Sequence, residues 1–140
     1  MRKRTGARGS VLDDFARFLS DEPALDFVRT VIGAGAASYA DAQATAYGPG
    51  HFLTAHDDDV AGKNRKAAYV MNLSCDWTAD WGGLLVFHAP GEARAEALVP
   101  SFNALNLFAV PQLHSVSMVA PWVPRRRYSI TGWLRGGRKP

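Results

Sequence analysis

Residues 126–135 have the sequence Arg-Arg-Tyr-Ser-Ile-Thr-Gly-Trp-Leu-Arg, which is the clearest strand pattern in the chain. Successive side chains of a β-strand point to opposite faces, so polar and apolar groups separate here. One face would hold Arg127, Ser129, Thr131 and Trp133. The other would hold Tyr128, Ile130 and Leu134. A cation and two hydroxyl groups on the inner face of a barrel would form a site for a carboxylate.

Short segments of β-forming residues, separated by Gly, Pro, Asn and Asp, recur from about residue 40 onward. No helix-length segments alternate with them, which disfavours a parallel α/β fold. The region 40–135 is therefore predicted to form a sandwich or a jelly-roll barrel. The predicted strands are 41–48, 51–57, 67–74, 83–88, 104–110, 114–120 and 126–135.

Residues 10–33 predict two helices that buttress one sheet of this mainly β fold. Ser10 followed by Asp13 matches a capping box, and apolar residues recur after it at helical spacing. The segment Ser20-Asp-Glu-Pro repeats the start signal, and the second apolar stripe ends at Gly33. Residues 1–9 lack such periodicity and are predicted to be a flexible basic tail.

The length of 140 residues fits one domain, and a hydrophobic content of 47% supplies a core for it. We therefore expect 1–140 to be a single domain. The net charge of +3 combines an acidic body with basic ends, because all 13 acidic residues lie within 10–124. Basic ends suit an acidic partner, but the aromatic residues are not interleaved with the terminal arginines as in a platform that stacks bases. Direct nucleic-acid binding is therefore disfavoured.

Cys75 is the only cysteine, which excludes a disulfide-rich secreted domain and a zinc site of several thiolates. No run of 18 apolar residues is present, which argues against a membrane-spanning helix. The basic N-terminus is not followed by the apolar stretch of a signal peptide. We expect a cytoplasmic protein that does not insert into a membrane.

The triplet His56-Asp-Asp58 is the strongest candidate for metal binding. On a strand, residues two apart point to the same face, so an imidazole and a carboxylate would converge. They supply two of the three ligands of a 2-His-1-carboxylate site for ferrous iron. His114 is the best-placed third ligand, whereas His51 and His88 are less suitable. The alternative interpretation is an acidic turn that follows an unrelated histidine.

Arg127 follows His114 by thirteen residues, and Ser129 lies two residues further on. The alternative interpretation of Arg125, Arg126 and Arg127 is a solvated basic turn. Strand alternation argues against it for Arg127 and leaves the other two arginines undecided.

These residues in this order resemble the signature of the 2-oxoglutarate and Fe(II)-dependent dioxygenases, and within them the prolyl hydroxylase branch. Supporting matches cover roughly residues 11–135. They are Ala46-Tyr-Gly-Pro-Gly-His-Phe-Leu-Thr-Ala-His56, Tyr69-Val-Met-Asn-Leu-Ser-Cys-Asp-Trp77, Gly82-Gly-Leu-Leu-Val-Phe87, the segment from Asn103 to Phe108, and Arg127-Tyr-Ser-Ile-Thr-Gly-Trp133.

The resemblance implies a double-stranded β-helix, a jelly-roll barrel of the cupin type. It implies that iron is bound by His56, Asp58 and His114. It also implies that 2-oxoglutarate chelates the iron and pairs with Arg127 and Ser129 at its distal carboxylate, with Tyr47 lining the pocket. A second pocket tyrosine of some relatives corresponds here to Asn72, so this residue would take its place at that wall of the cosubstrate pocket. We expect an apolar lining that includes Val116, Met118, Leu107 and Trp133.

The function implied by the resemblance is hydroxylation of a prolyl residue in a protein, with O2 as substrate and release of succinate and CO2. The substrate would be a cytoplasmic protein, with the translation machinery as one candidate, and ascorbate is a candidate additional cofactor. Two other functions remain open. One is hydroxylation of a small molecule such as a free amino acid, and the other is a non-catalytic binding module with basic tails.

Overall fold

The computed structural model describes residues 9–140, in which two helices precede a set of antiparallel strands. Residues 1–8 of the predicted N-terminal tail lie outside the described part. A short 3-10 turn at Ala79–Trp81 separates the fourth and fifth strands. The elements are α1 Val11–Ser20, α2 Glu22–Ile32, β1 Tyr39–Ala40, β2 Gln43–Tyr47, β3 Leu53–His56, β4 Arg65–Asn72, β5 Leu85–His88, β6 Ala95–Leu98, β7 Leu105–Ala109, β8 His114–Val116 and β9 Arg127–Arg135.

The strands form two antiparallel sheets with a jelly-roll arrangement. The major sheet has the order β1-β9-β4-β7, with β2 also pairing with β9. The minor sheet has the order β3-β8-β5-β6. In the major sheet Tyr47 lies opposite Arg127, and in the minor sheet His56 lies opposite His114. The predicted mainly β fold with N-terminal helices is therefore confirmed.

The two helices cover part of the outer face of the major sheet. Helix α1 begins with the predicted capping box, in which the Ser10 hydroxyl accepts from the backbone N–H of Asp13 and the Asp13 carboxylate accepts from the N–H of Ser10. Helix α2 ends at Gly33, whose left-handed φ of 68° few other residues adopt without strain. Leu25 of α2 is packed in one core cluster with Leu134 of β9.

The seven predicted strands all occur, most of them shorter than predicted. Strands β1 and β6 were missed by the sequence pattern. The sequence of β6, Ala-Glu-Ala-Leu, has weak strand propensity, and it is extended because it pairs with β5 along its whole length. Strand β1 has only two residues and is held by the end of β9.

The alternation predicted for β9 is correct. Arg127 and Ser129 are buried on the inner face, whereas Leu134 is buried in the cluster that contains the helices. Two of the four residues expected to line the barrel are placed elsewhere. Met118 lies beyond the end of β8 and is 50% exposed, and Leu107 packs toward the helices because β7 presents its odd-numbered residues outward.

None of the helices among residues 9–140 is long and apolar enough to span a membrane.

Candidate metal centre

The minor sheet brings three potential metal ligands together. His56 ends β3 and His114 begins β8, and these two residues are paired in register. Asp58 follows two residues after His56. Its carboxylate oxygens lie 3.6 Å from Nε2 of His56 and 3.5 Å from Nε2 of His114. Ligand atoms of the three residues all lie within 4.8 Å of one another.

Both imidazoles are oriented by hydrogen bonds within their own chain segments. Nδ1 of His56 lies 2.8 Å from the carbonyl oxygen of Thr54, and Nδ1 of His114 lies 2.7 Å from that of Gln112. Because a carbonyl only accepts, Nδ1 of each ring carries the proton and Nε2 is free to bind a metal. Burial lowers the pKa of His114 below its usual 6.5, which favours the neutral ring.

A cavity of about 290 Å³ lies between the two sheets and contains this cluster. Its walls include residues from both sheets, among them Thr45, Tyr47, Leu85, Val116, Arg127 and Trp133. The metal-ligand candidates therefore open into the same space as the arginine that the sequence placed on an inner strand face.

Arg127 is buried in this cavity without a counter-charge. It is 2% exposed, and its Nε has no hydrogen-bond partner among residues 9–140. The ion pairs formed within that range do not include it. Burial lowers its pKa well below the usual value of an arginine, to about 10, and the nearby Tyr47 opposes this only in part. A buried guanidinium of this kind fits an anionic ligand that carries a carboxylate.

Tyr47 lies beside Arg127, with the guanidinium carbon 5.5 Å from the centre of its ring. It lines the cavity, and burial raises the pKa of its phenol, so the hydroxyl keeps its proton and can donate. Tyr47 and Arg127 therefore lie side by side in the wall of the same cavity.

The two other residues expected at the cosubstrate serve mainly to connect strands. The Ser129 hydroxyl is 2.6 Å from that of Thr45. The Asn72 amide donates to the carbonyl oxygen of Ala104 and to Oδ1 of Asn106, at 3.0 and 2.7 Å. Neither Ser129 nor Asn72 lines the cavity. Thr45, which the sequence reasoning missed, lines it instead and lies opposite Ser129 in the register of β2 and β9.

Gly83 makes room for the Arg127 side chain. Its φ is +63°, and a Cβ atom at this position would lie 3.2 Å from Cδ of Arg127 and 3.1 Å from a methyl group of Val119. Trp77 closes the same corner, since a Cβ on Gly83 would also lie 3.5 Å from its ring. The Gly82-Gly83 pair, noted in the sequence as part of a motif, thus shapes the wall behind the guanidinium.

The remaining histidines lie apart from the cluster. His88 at the end of β5 has its Nε2 2.8 Å from the Ser115 hydroxyl. His51 precedes β3, and its Nδ1 is buried without a partner among residues 9–140. Neither belongs to the group of residues within metal-binding distance in that range.

A family model described as the 2OG-Fe(II) oxygenase superfamily matches residues 42–135. The chain belongs to this superfamily. It is accordingly an oxygenase, an oxidoreductase whose family uses Fe(II), 2-oxoglutarate and O2. The matched span contains all three metal-ligand candidates and Arg127. No curated protein sequence matches the chain.

Solved structures of this superfamily have the same fold. A prolyl-4-hydroxylase from Pseudomonas putida is 20% identical, with a TM-score of 0.75 over 98% of this chain and 71% of that one. An oxidoreductase of the 2OG-Fe(II) oxygenase family from Burkholderia pseudomallei is 18% identical, with a TM-score of 0.70 over 88% and 57%. A prolyl hydroxylase from Trichoplax adhaerens, solved with a hypoxia inducible factor peptide fragment, is 25% identical, with a TM-score of 0.59 over 69% and 43%. The chain thus spans about half the length of the latter two.

The residues in the cavity fit the cofactors of the superfamily. Two imidazole nitrogens and one carboxylate on one side of a metal are the donor set of non-haem Fe(II) oxygenases. The unpaired Arg127 supplies the positive charge that a dicarboxylate such as 2-oxoglutarate would need at its far end.

Proposed function

We propose that the protein is an Fe(II)- and 2-oxoglutarate-dependent hydroxylase that acts on a prolyl residue of a protein. In this proposal His56, Asp58 and His114 hold the iron. Arg127 and Tyr47 hold the distal carboxylate of 2-oxoglutarate, with Ser129 and Asn72 supporting the strands behind them. The observation that carries the proposal is the buried, unpaired Arg127 in the same cavity as the triad.

The bound iron would supply the oxidative chemistry, in which 2-oxoglutarate and O2 become succinate and CO2 while one oxygen atom enters a C–H bond of the substrate. The protein side chains have binding and orienting roles. Arg127 would pair with the distal carboxylate in a forked geometry, and the Tyr47 hydroxyl would donate beside it. The hydrogen bonds to Thr54 and Gln112 keep Nε2 of both histidines directed at the metal.

The prolyl substrate is supported by the fold shared with prolyl hydroxylases, one of which was solved with a bound peptide fragment. The proposal includes a single catalytic domain formed by 10–33 and 40–135. It also places the enzyme in the cytoplasm, with a protein of the translation machinery as a candidate substrate and ascorbate as a candidate reductant. The single domain and the cytoplasmic location follow from the length and composition of the sequence, whereas the candidate substrate and reductant follow from the family resemblance.

Anaerobic addition of Fe(II) and then 2-oxoglutarate tests the cofactor assignment. A keto acid chelated to Fe(II) gives a weak visible charge-transfer band, which we expect for the wild type. Arg127→Met should need a much higher 2-oxoglutarate concentration to produce the band, and His114→Ala should not give it at any concentration. Arg126→Met is the matched control, because this exposed neighbour should leave the titration unchanged. A well-folded wild-type protein that gives no band would refute the proposal.

Mass spectrometry tests the substrate. Proline-containing peptides and ribosomal proteins should gain 16 Da per site in the presence of Fe(II), 2-oxoglutarate and O2, whereas free proline should not. The opposite result would assign the enzyme to small-molecule hydroxylation. Succinate production without oxidation of either class would refute the prolyl assignment while leaving the cofactor assignment intact.

A further inference from the structure

Asp58 has an uncommon backbone conformation for a metal ligand candidate. Its φ is +66°, in the left-handed region that residues with a Cβ rarely enter, and it is buried. Such a conformation persists only where neighbouring groups hold it. The carboxylate direction depends on this backbone, because Asp has only two side-chain torsions between Cα and its oxygens.

Arg65 contacts Asp58 from outside the cluster of metal-ligand candidates. Its Nη1 lies 3.2 Å from the backbone carbonyl oxygen of Asp58 and 3.5 Å from Oδ1 of the same residue. One guanidinium nitrogen therefore contacts both the strained backbone and the carboxylate. Arg65 begins β4, so it is carried by the major sheet, whereas His56 and His114 are carried by the minor sheet.

The position of Arg65 is itself constrained. Its guanidinium carbon lies 3.6 Å from the centre of the Trp133 ring, which is close stacking. The side chain is 13% exposed and lines the cavity. Trp133 lies on β9 six residues after Arg127, so the same strand supports both arginines of the cavity.

We propose that Arg65 is a positioning residue that holds the Asp58 carboxylate in the direction required for metal binding. The proposal rests on the metal centre proposed above. The planar guanidinium, braced by Trp133, fixes the left-handed backbone of Asp58 through its carbonyl oxygen and limits rotation of its carboxylate.

If Arg65 acted only through its charge, its removal would have the opposite effect on metal affinity from the one expected for a positioning residue. A cation 3.5 Å from a metal ligand repels a divalent ion and competes for its carboxylate, so removing Arg65 would strengthen metal binding if it acted only by charge. Removal weakens metal binding if the residue acts by positioning. The direction of the change therefore separates the two roles.

Metal-free protein titrated with Co(II) provides the measurement, because the visible d–d absorption reports both affinity and coordination geometry. We expect Arg65→Met to weaken Co(II) binding roughly tenfold or more, as found for outer-shell partners of metal ligands. The shape of the spectrum should also change. Arg125→Met is the matched control, since Arg125 likewise lies over a tryptophan ring, Trp81, at 4.9 Å and donates to one carbonyl oxygen, that of Asp76. It should bind Co(II) within twofold of the wild type.

Co(II) binding by folded Arg65→Met that equals or exceeds wild-type affinity would overturn the proposal. Circular dichroism of the metal-free variant establishes its folding. If Arg65→Met does not fold, Arg65→Lys decides, because it keeps the cation but not the planar stack: weaker binding supports positioning, and wild-type affinity overturns it. Absence of Co(II) binding by the wild type, or binding unaffected by His114→Ala, would instead refute the metal centre and with it this inference.

Discussion

Replacement of Arg127 by Met should stabilise the ligand-free protein while removing its affinity for 2-oxoglutarate. Burial lowers the pKa of Arg127 well below the usual value of an arginine, to about 10. Since a tenfold change in an equilibrium is about 1.4 kcal/mol, holding the charge inside costs about 3 kcal/mol. Met fills the space of the aliphatic stem, but the contact of the guanidinium with the Tyr47 ring is lost, which offsets roughly 1 kcal/mol. We therefore expect Arg127→Met to raise the free energy of unfolding of the ligand-free protein by about 2 kcal/mol.

Thermal unfolding of the metal-free protein measures this gain. At roughly 3 °C per kcal/mol for a chain of this size, Arg127→Met should raise the Tm by about 6 °C. Arg126→Met is exposed and should change the stability by less than about 0.5 kcal/mol. With Fe(II) already present, saturating 2-oxoglutarate should then raise the Tm of the wild type further and have little effect on that of Arg127→Met.

Loss of the Arg127 charge by deprotonation at high pH should stabilise the folded state, as its removal by substitution does. A base whose pKa is lowered on folding makes the folded state more stable as pH rises above about 10, because the unfolded chain still holds the proton there while the folded chain has lost it. This range is outside ordinary working conditions, so the substitution is the practical test. A Tm for Arg127→Met at or below that of the wild type would show that the guanidinium is well compensated in the free protein, and the reasoning would be wrong.

Three further predictions concern other parts of the molecule. His114→Ala should abolish Fe(II) binding in equilibrium dialysis, whereas Arg127→Ala should retain the iron and bind 2-oxoglutarate weakly. Gly83→Ala should destabilise the fold by about 1–2 kcal/mol and weaken 2-oxoglutarate binding, because the new methyl group strains a φ of +63° and crowds Cδ of Arg127; unchanged calorimetric affinity would contradict the assigned wall. Ser10→Ala should cost about 1 kcal/mol in urea unfolding by removing the cap of α1, with no effect on metal binding.

The fold class could be predicted from the sequence because the local patterns for helices and strands agree with one another. The capping box at Ser10 and the alternation from Arg127 to Leu134 are local signals, and both appear where predicted. Strand β6 was missed because Ala-Glu-Ala-Leu becomes extended only through pairing with β5. Leu107 was assigned to the wrong face because an apolar residue suits either side of a sheet that is covered on both faces.

The part of the candidate site that could be predicted is the part whose residue types are themselves typical of metal binding. An imidazole and a carboxylate two positions apart are visible in the sequence, and the structure brings His114 to them. The role of Asn72 was not visible, because its partners Ala104 and Asn106 come from a loop and strand more than thirty residues away. Arg65 was also missed, since its contact with Asp58 depends on the left-handed turn between them.

The two halves of the candidate site belong to different sheets. His56 and His114 are on the minor sheet, whereas Tyr47 and Arg127 are on the major sheet. A dicarboxylate that binds the metal at one end and Arg127 at the other would act as a cross-link between the sheets. Its binding should slow hydrogen exchange of backbone amides in β3 and β8 together with those of β9, so the cosubstrate would serve as a structural strut of the barrel as well as a reactant.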